Sequence, residues 1–221
     1  MESTILMPVP ATEPPRKRTT YRHGNLRGAL LDAALELARE GGPDAVSLRE
    51  VTRRAGVSPN AAYRHFADRG ALVHAVSQAA MAHVARAMEA EIDALPPAGD
   101  PSAGARARFR AVGTGYIRFA VTEPGWFRTA FHVPADMVHA TDTTAAGEGG
   151  LTPFELLGTA LDGLVDSGAL TAERRPGAEF LAWSAVHGLA ALVVDGPLRG
   201  VAPEQVHDAG QDVITMVERG L

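Results

Sequence analysis

Between residues 46 and 73 the chain reads VSLREVTRRAGVSPNAAYRHFADRGALV. Asn60, Tyr63, Arg64 and His65 lie close together there, Arg49, Arg53, Arg54 and Arg69 surround them, and only Glu50 and Asp68 oppose them. Amide, phenol, guanidinium and imidazole groups at this spacing donate hydrogen bonds. Their chemistry is recognition of an acceptor-rich, anionic partner rather than bond cleavage.

A second candidate set is aromatic. Trp126, Phe127 and Phe131 fall in EPGWFRTAFH, Phe154 follows, and Trp183 and His187 punctuate FLAWSAVHGLAALVVDG, in a chain only 5% aromatic. Together they would make a mostly apolar pocket with a few polar handles, suited to a hydrophobic or aromatic small molecule. Rings at helical spacing serve equally well as core, and a buried histidine as a structural donor.

Catalytic arrangements fare worse. There is no phosphate loop, GxSxG or HExxH, and EQVH at 204–207 is the sole Glu-x-x-His, where a di-metal bundle needs two. Ser184 and His187 share one helix without an evident acid or oxyanion site. Cysteine is absent, which excludes disulfides, thiol catalysis and cysteine-ligated metals. The expectation is a non-enzyme without cofactor or metal.

The elements that must position these groups are helical. Alanine is abundant, hydrophobic residues make up 46%, and no stretch alternates with strand period. Residues 1–20 carry four prolines and read as a disordered tail whose basic end, Arg16, Lys17, Arg18 and Arg22, forms an arm. Asn25 caps a first helix with Leu26, Leu30, Ala33, Ala34 and Leu37 on one face, and Gly41-Gly42-Pro43 stops it. Ser47 with Glu50 predicts a capping box and a helix to about Ala55; Gly56 turns the chain, and Ser58-Pro59 opens a short helix ending near Phe66. Asp68 caps a long fourth helix. Further helices are expected at about 103–121, 124–132, 153–167, 177–194 and 203–219, with 134–150 a mobile loop.

Charge follows this division. Residues 1–75 carry a net +3 and the remainder −8, so the total of −5 averages two unlike parts. No apolar run is long enough to span a bilayer, and the first residues lack the order of a secretory signal; a cytoplasmic protein is expected.

Two short helices joined through a glycine turn, with another packed behind, form a helix-turn-helix. In SPNAAYRHF, Asn60, Ala61 and Arg64 share an exposed face of small and hydrogen-bonding residues that a major groove admits, while Ala62 and Phe66 point inward. Tyr63 and His65 flank it, within reach of phosphates. Arg49 can reach toward a groove, whereas Arg53 and Arg54 read better as solvated face charges.

Residues 21–73, with their helix lengths, AGVS turn and Y-x-H-F helix end, resemble the DNA-binding domain of the tetracycline-repressor (TetR) family of bacterial transcriptional regulators. The resemblance implies an all-α homodimer on a near-palindromic double-stranded DNA operator, with residues 21–70 binding DNA and 71–221 forming a helical ligand-binding and dimerisation domain. It places phosphate contacts on Ser47, Ser58, Tyr63, His65 and Arg69, and base contacts on Arg49, Asn60, Ala61 and Arg64. Gly70 stands where the family often has an acid, softening the start of the fourth helix by up to ~1 kcal/mol. Trp183-x-x-x-His187-Gly188 is similar to a regulatory-domain subtype in which this helix lines the pocket and aids dimerisation. The function implied is a repressor released by a small effector, and the acidic excess of the C-terminal part favours a neutral or cationic one. An activator, or a ligand-binding helical dimer with a vestigial DNA-binding domain, fits the same residues.

Overall fold

The computed structural model describes residues 25–132 and 142–221, so the basic arm and part of the 134–150 stretch lie outside the described residues. Within them the chain is all-α: α1 Leu26–Gly41, α2 Leu48–Ala55, α3 Pro59–Tyr63, α4 Arg69–Asp93, α5 Pro101–Thr122, α6 Pro124–Ala130, α7 Pro153–Asp166, α8 Ala178–Val194 and α9 Pro203–Gly220.

Local signals set most of these boundaries. Asn25 Oδ1 accepts from Gly28 N at 3.0 Å, and Asp68 Oδ1 from Ala71 N at 2.8 Å, each satisfying an orphan donor of its helix. Gly56 ends α2 at φ 69°, ψ 31°, the left-handed region where a Cβ is strained. Three expectations need correction. The helix after Ser58 stops at Tyr63, and a tight turn, in which Phe66 N still donates to Ala62 O, carries the chain on. The capping box at Ser47 is half made: its Oγ accepts from Glu50 N at 3.3 Å, but the Glu50 carboxylate turns away to Arg53. A complete box forms instead at Thr152 and Glu155, starting α7. Residues 142–150, expected as mobile loop, hold a 3-10 turn at Thr143–Ala145, and the Glu89 carboxylate accepts from the amides of Glu148 and Gly149, both at 2.9 Å.

Two cores result. The smaller joins Leu30, Ala34 and Leu37 of α1 to Val46, Val51, Ala62 and Phe66, and is closed by Leu72, Val73 and Val76 of α4. The larger surrounds α5, which packs on α4, α6, α7, α8 and α9. The long α4 serves both, passing from the first to the second between Val76 and Ala80. It is therefore the continuous rod between the surface formed by α2–α3 and the bundle. No described helix is long and apolar enough to cross a membrane.

Candidate functional site

The α2–α3 unit is built from the inside outwards. Val51, Ala62 and Phe66 are buried, which fixes the rotation of both helices about their axes. That rotation leaves Arg49, Ser58, Asn60, Tyr63, Arg64 and His65 exposed, with Ala61 and Ser47 half-buried between them. Tyr63 is 55% exposed, a wasteful position for a large ring unless its face and hydroxyl serve a partner. The Ser58 hydroxyl makes no capping bond and remains available at the start of α3.

The arginines sort into two groups. Arg54 forms a double hydrogen bond to Glu40, both contacts 2.9 Å, and Arg53 pairs with Glu50; each partner carboxylate is held below the usual glutamate range, chiefly by its arginine hydrogen bond. Arg49 and Arg64 form no ion pair among the described residues and stay free on the exposed face. Arg69 is committed inward: its guanidinium donates to Val46 O and Pro43 O, both at 2.8 Å, and pins the start of α4 to the loop before α2. In this geometry Arg69 shapes the surface; its reach toward a phosphate would have to come from its remaining N–H groups.

The aromatic residues also divide. Phe127, Phe131, Phe154, Trp183 and His187 form one cluster, with Phe131 and His187 ring centres 4.8 Å apart and Phe154 and Trp183 6.1 Å apart. At its base lies Tyr116 of α5, which sequence reasoning missed. Its hydroxyl is 2.7 Å from His187 Nδ1 and accepts from Trp183 Nε1 at 3.4 Å. A signal was present: Tyr116 is the polar-tipped ring in the apolar stripe Phe109, Val112, Tyr116, Phe119. Burial pushes its phenol well above the ordinary tyrosine range and pulls the His187 imidazole below the ordinary histidine range.

Trp126 lies apart from the ligand cluster expected to include it. Its indole Nε1 donates to Leu35 O of α1 at 2.8 Å, its ring stacks on His83 of α4 at 4.2 Å, and Arg39 of α1 lies over it. Beside it, Arg39 makes a double hydrogen bond to Glu123, at 2.7 and 2.6 Å. Gly125 is buried so closely against α1 that a Cβ would meet Arg39 O at 2.2 Å. The seven-residue α6 thus has two faces, Phe127 in the aromatic cluster and Gly125 with Trp126 on α1.

A separate cleft of about 420 Å³ opens between the C-terminal end of α4, α5, α7 and the 148–151 segment, with Arg86, Glu89, Arg108 and Glu148 among its walls. None of the expected aromatic residues lines it. Among the described residues no group of three or more His, Asp or Glu side chains could hold a metal.

Comparison with known proteins agrees with this division. Residues 30–76 match the tetR family of bacterial regulatory proteins, and residues 109–217 match a tetracyclin repressor-like C-terminal domain. No curated protein matches the chain. Among solved structures, a Rhodococcus sp. RHA1 protein with unknown function is 27% identical, with a TM-score of 0.68 over 92% of this chain and 99% of that one. The TetR family transcriptional regulator PfmR from Thermus thermophilus is 19% identical, TM-score 0.54, covering 87% of this chain and 98% of its own. RolR in complex with resorcinol is 18% identical, TM-score 0.58, covering 88% and 86%. A TetR variant from Acinetobacter baumannii AYE in complex with minocycline is 18% identical, TM-score 0.54, covering 87% and 94%. The two family matches fall on the two structural cores, one on the helix-turn-helix unit and one on the bundle, and the chain belongs to the TetR family of DNA-binding transcriptional regulators, which are not enzymes.

Proposed function

We propose that the protein is a ligand-responsive repressor that binds a near-palindromic operator as a homodimer and is released by a small aromatic or apolar effector. Residues 21–70 carry DNA recognition and 71–221 effector binding and dimerisation. Arg49, Asn60, Ala61 and Arg64 read bases; Ser47, Ser58, Tyr63 and His65 hold phosphates, with Arg69 positioning the surface behind them. Phe127, Phe131, Phe154, Trp183 and His187, on Tyr116, form the effector site, and the Trp183-x-x-x-His187-Gly188 run is its wall on α8.

The observation that carries the ligand-responsive part is the double-faced α6. A molecule entering the cluster displaces Phe127 or Phe131, and the same helix holds α1 through Trp126 and Gly125. Coupling of this kind is typically worth about 1–3 kcal/mol, enough to change operator occupancy by roughly 5- to 150-fold. Resorcinol and minocycline on the two ligand-bound relatives favour a ring-bearing effector. Dimerisation is supported by an exposed stripe on α8, Leu181, Ser184, Gly188 and Leu192, and by exposed Met216 on α9, which packs against α8.

The test is selection of binding sites from random duplexes, followed by shift assays on the enriched sequence with and without aromatic compounds. Enrichment of an inverted repeat whose half-sites are about one helical turn apart is expected. Failure to enrich any repeat at low salt, where phosphate contacts dominate affinity, sinks the reading.

A further inference from the structure

We propose that His187 offers its Nε2–H to the occupant of the aromatic cluster, so that the effector is an uncharged aromatic molecule carrying a hydrogen-bond acceptor, such as an aryl carbonyl oxygen. The inference rests on the cluster being the effector site, and it follows from counting protons.

An indole N–H can only donate, so the Tyr116 hydroxyl accepts from Trp183 Nε1 at 3.4 Å. The hydroxyl's single proton then points to its other neighbour, His187 Nδ1, 2.7 Å away. If His187 instead donated from Nδ1, the Tyr116 oxygen would accept twice, and its own proton would be left without a partner. Tyr116 is 3% exposed, and an unpaired buried hydroxyl proton is costly. Nδ1 is therefore an acceptor, and a neutral imidazole that accepts at Nδ1 carries its proton on Nε2. Burial reinforces both assignments by keeping the phenol protonated and opposing the imidazolium.

Nε2 makes no hydrogen bond among the described residues, yet no sealed side-chain nitrogen or oxygen among them lacks a partner. The Nε2–H is therefore open to an incoming molecule. Around it stand the rings of Phe131, Phe127 and Trp183, centred 4.8, 5.7 and 6.0 Å from the imidazole. Among the described residues no charged side chain shifts His187, whose depression comes from desolvation. A charged effector would be stripped of water with no counter-charge. A cation, which aromatic walls alone would welcome, would face the positive end of an N–H. Among the described residues the acidic surplus of this part of the chain thus does not extend to the cluster, and the uncharged alternative remains.

Two measurements on the full chain test this. Long-range proton–nitrogen NMR of ¹⁵N-histidine-labelled protein, with His187 assigned through His187→Gln, reads the tautomer without any ligand. The Nε2–H form is expected, shifting to a tautomer mixture in Tyr116→Phe; the Nδ1–H form in the parent protein overturns the proposal. Binding is then compared for acetophenone, its acceptor-free isostere α-methylstyrene, and indole, read on the resonances of His187 and Trp183. Acetophenone is expected to bind about ten-fold more tightly than the isostere. That preference should survive His187→Gln, which retains an N–H donor, and vanish in His187→Phe. Equal binding of all three overturns the acceptor preference while leaving the effector site standing. No perturbation by any of the three removes the effector-site reading and this inference with it.

Discussion

Residues on the α2–α3 surface are separated by their commitments within the protein. Arg53, Arg54 and Arg69 already have partners, whereas Arg49, Asn60 and Arg64 are held outward with nothing to satisfy them. If Arg49 reads a base as proposed, Arg49→Ala should cost about 1–3 kcal/mol there and relax preference at that position. Tyr63→Phe removes the hydroxyl proposed to hold a phosphate and should weaken binding by about 1 kcal/mol on every sequence alike. Shift assays on the selected operator and on single-base variants distinguish the two patterns. The half-buried histidines make a different prediction. Burial holds His83 and His187 below the ordinary histidine value of 6.5, so above that pH folded and unfolded chains are both neutral and nothing is lost. As pH falls below 6.5 the unfolded chain takes up protons that the folded one resists, and stability drops. The depressed glutamates Glu40, Glu50, Glu173 and Glu218 act only below about pH 4.5, outside this window. Thermal melts from pH 7.5 to 5.5 should show a falling Tm that is flatter in a His83→Gln, His187→Gln protein.

At the level of elements, α6 gives the clearest prediction. Trp126→Phe keeps the ring over His83 but abolishes the donor to Leu35 O, and Gly125→Ala forces a Cβ against Arg39 O. The first should leave operator affinity within about 1 kcal/mol of the parent while reducing effector-induced release. The second should destabilise the junction by about 1–3 kcal/mol, read as a lower Tm. Unchanged release in Trp126→Phe would remove α6 as the route. This helix also shows what the sequence could and could not disclose. The starts of α1, α2 and α4 were legible because caps act over three residues, and the α1 stripe because periodicity is local. Partner choice across distance was not. Glu50 bonds Arg53 rather than completing its box, and Trp126 finds a carbonyl 91 residues away. The Tyr116–His187 pair spans 71 residues and depends on how α5 and α8 pack, which no local pattern encodes.

For the whole molecule, the question is what covers the exposed face of α8 and α9. Leu181 is 65% exposed, Leu192 44% and Met216 63%, and a Cβ at Gly188, between the two leucines on α8, would meet nothing within 4 Å beyond its own helix backbone and chain neighbours. Small residues flanked by exposed leucines allow a second helix to approach closely, and a two-fold axis would bring this face onto itself. Such a pairing would set the distance between two recognition surfaces and make binding of the second half-site intramolecular. Leu192→Glu with Met216→Glu places charge on that face without touching the two cores or the aromatic cluster. The expected result is a monomer by sedimentation whose affinity for the full operator falls by about 100-fold or more, because the two half-sites are then bound independently. Binding of a single half-site and of acetophenone should be unaffected. A parent protein that sediments as a monomer, or a charged variant that keeps full operator affinity, would separate DNA recognition from this face altogether.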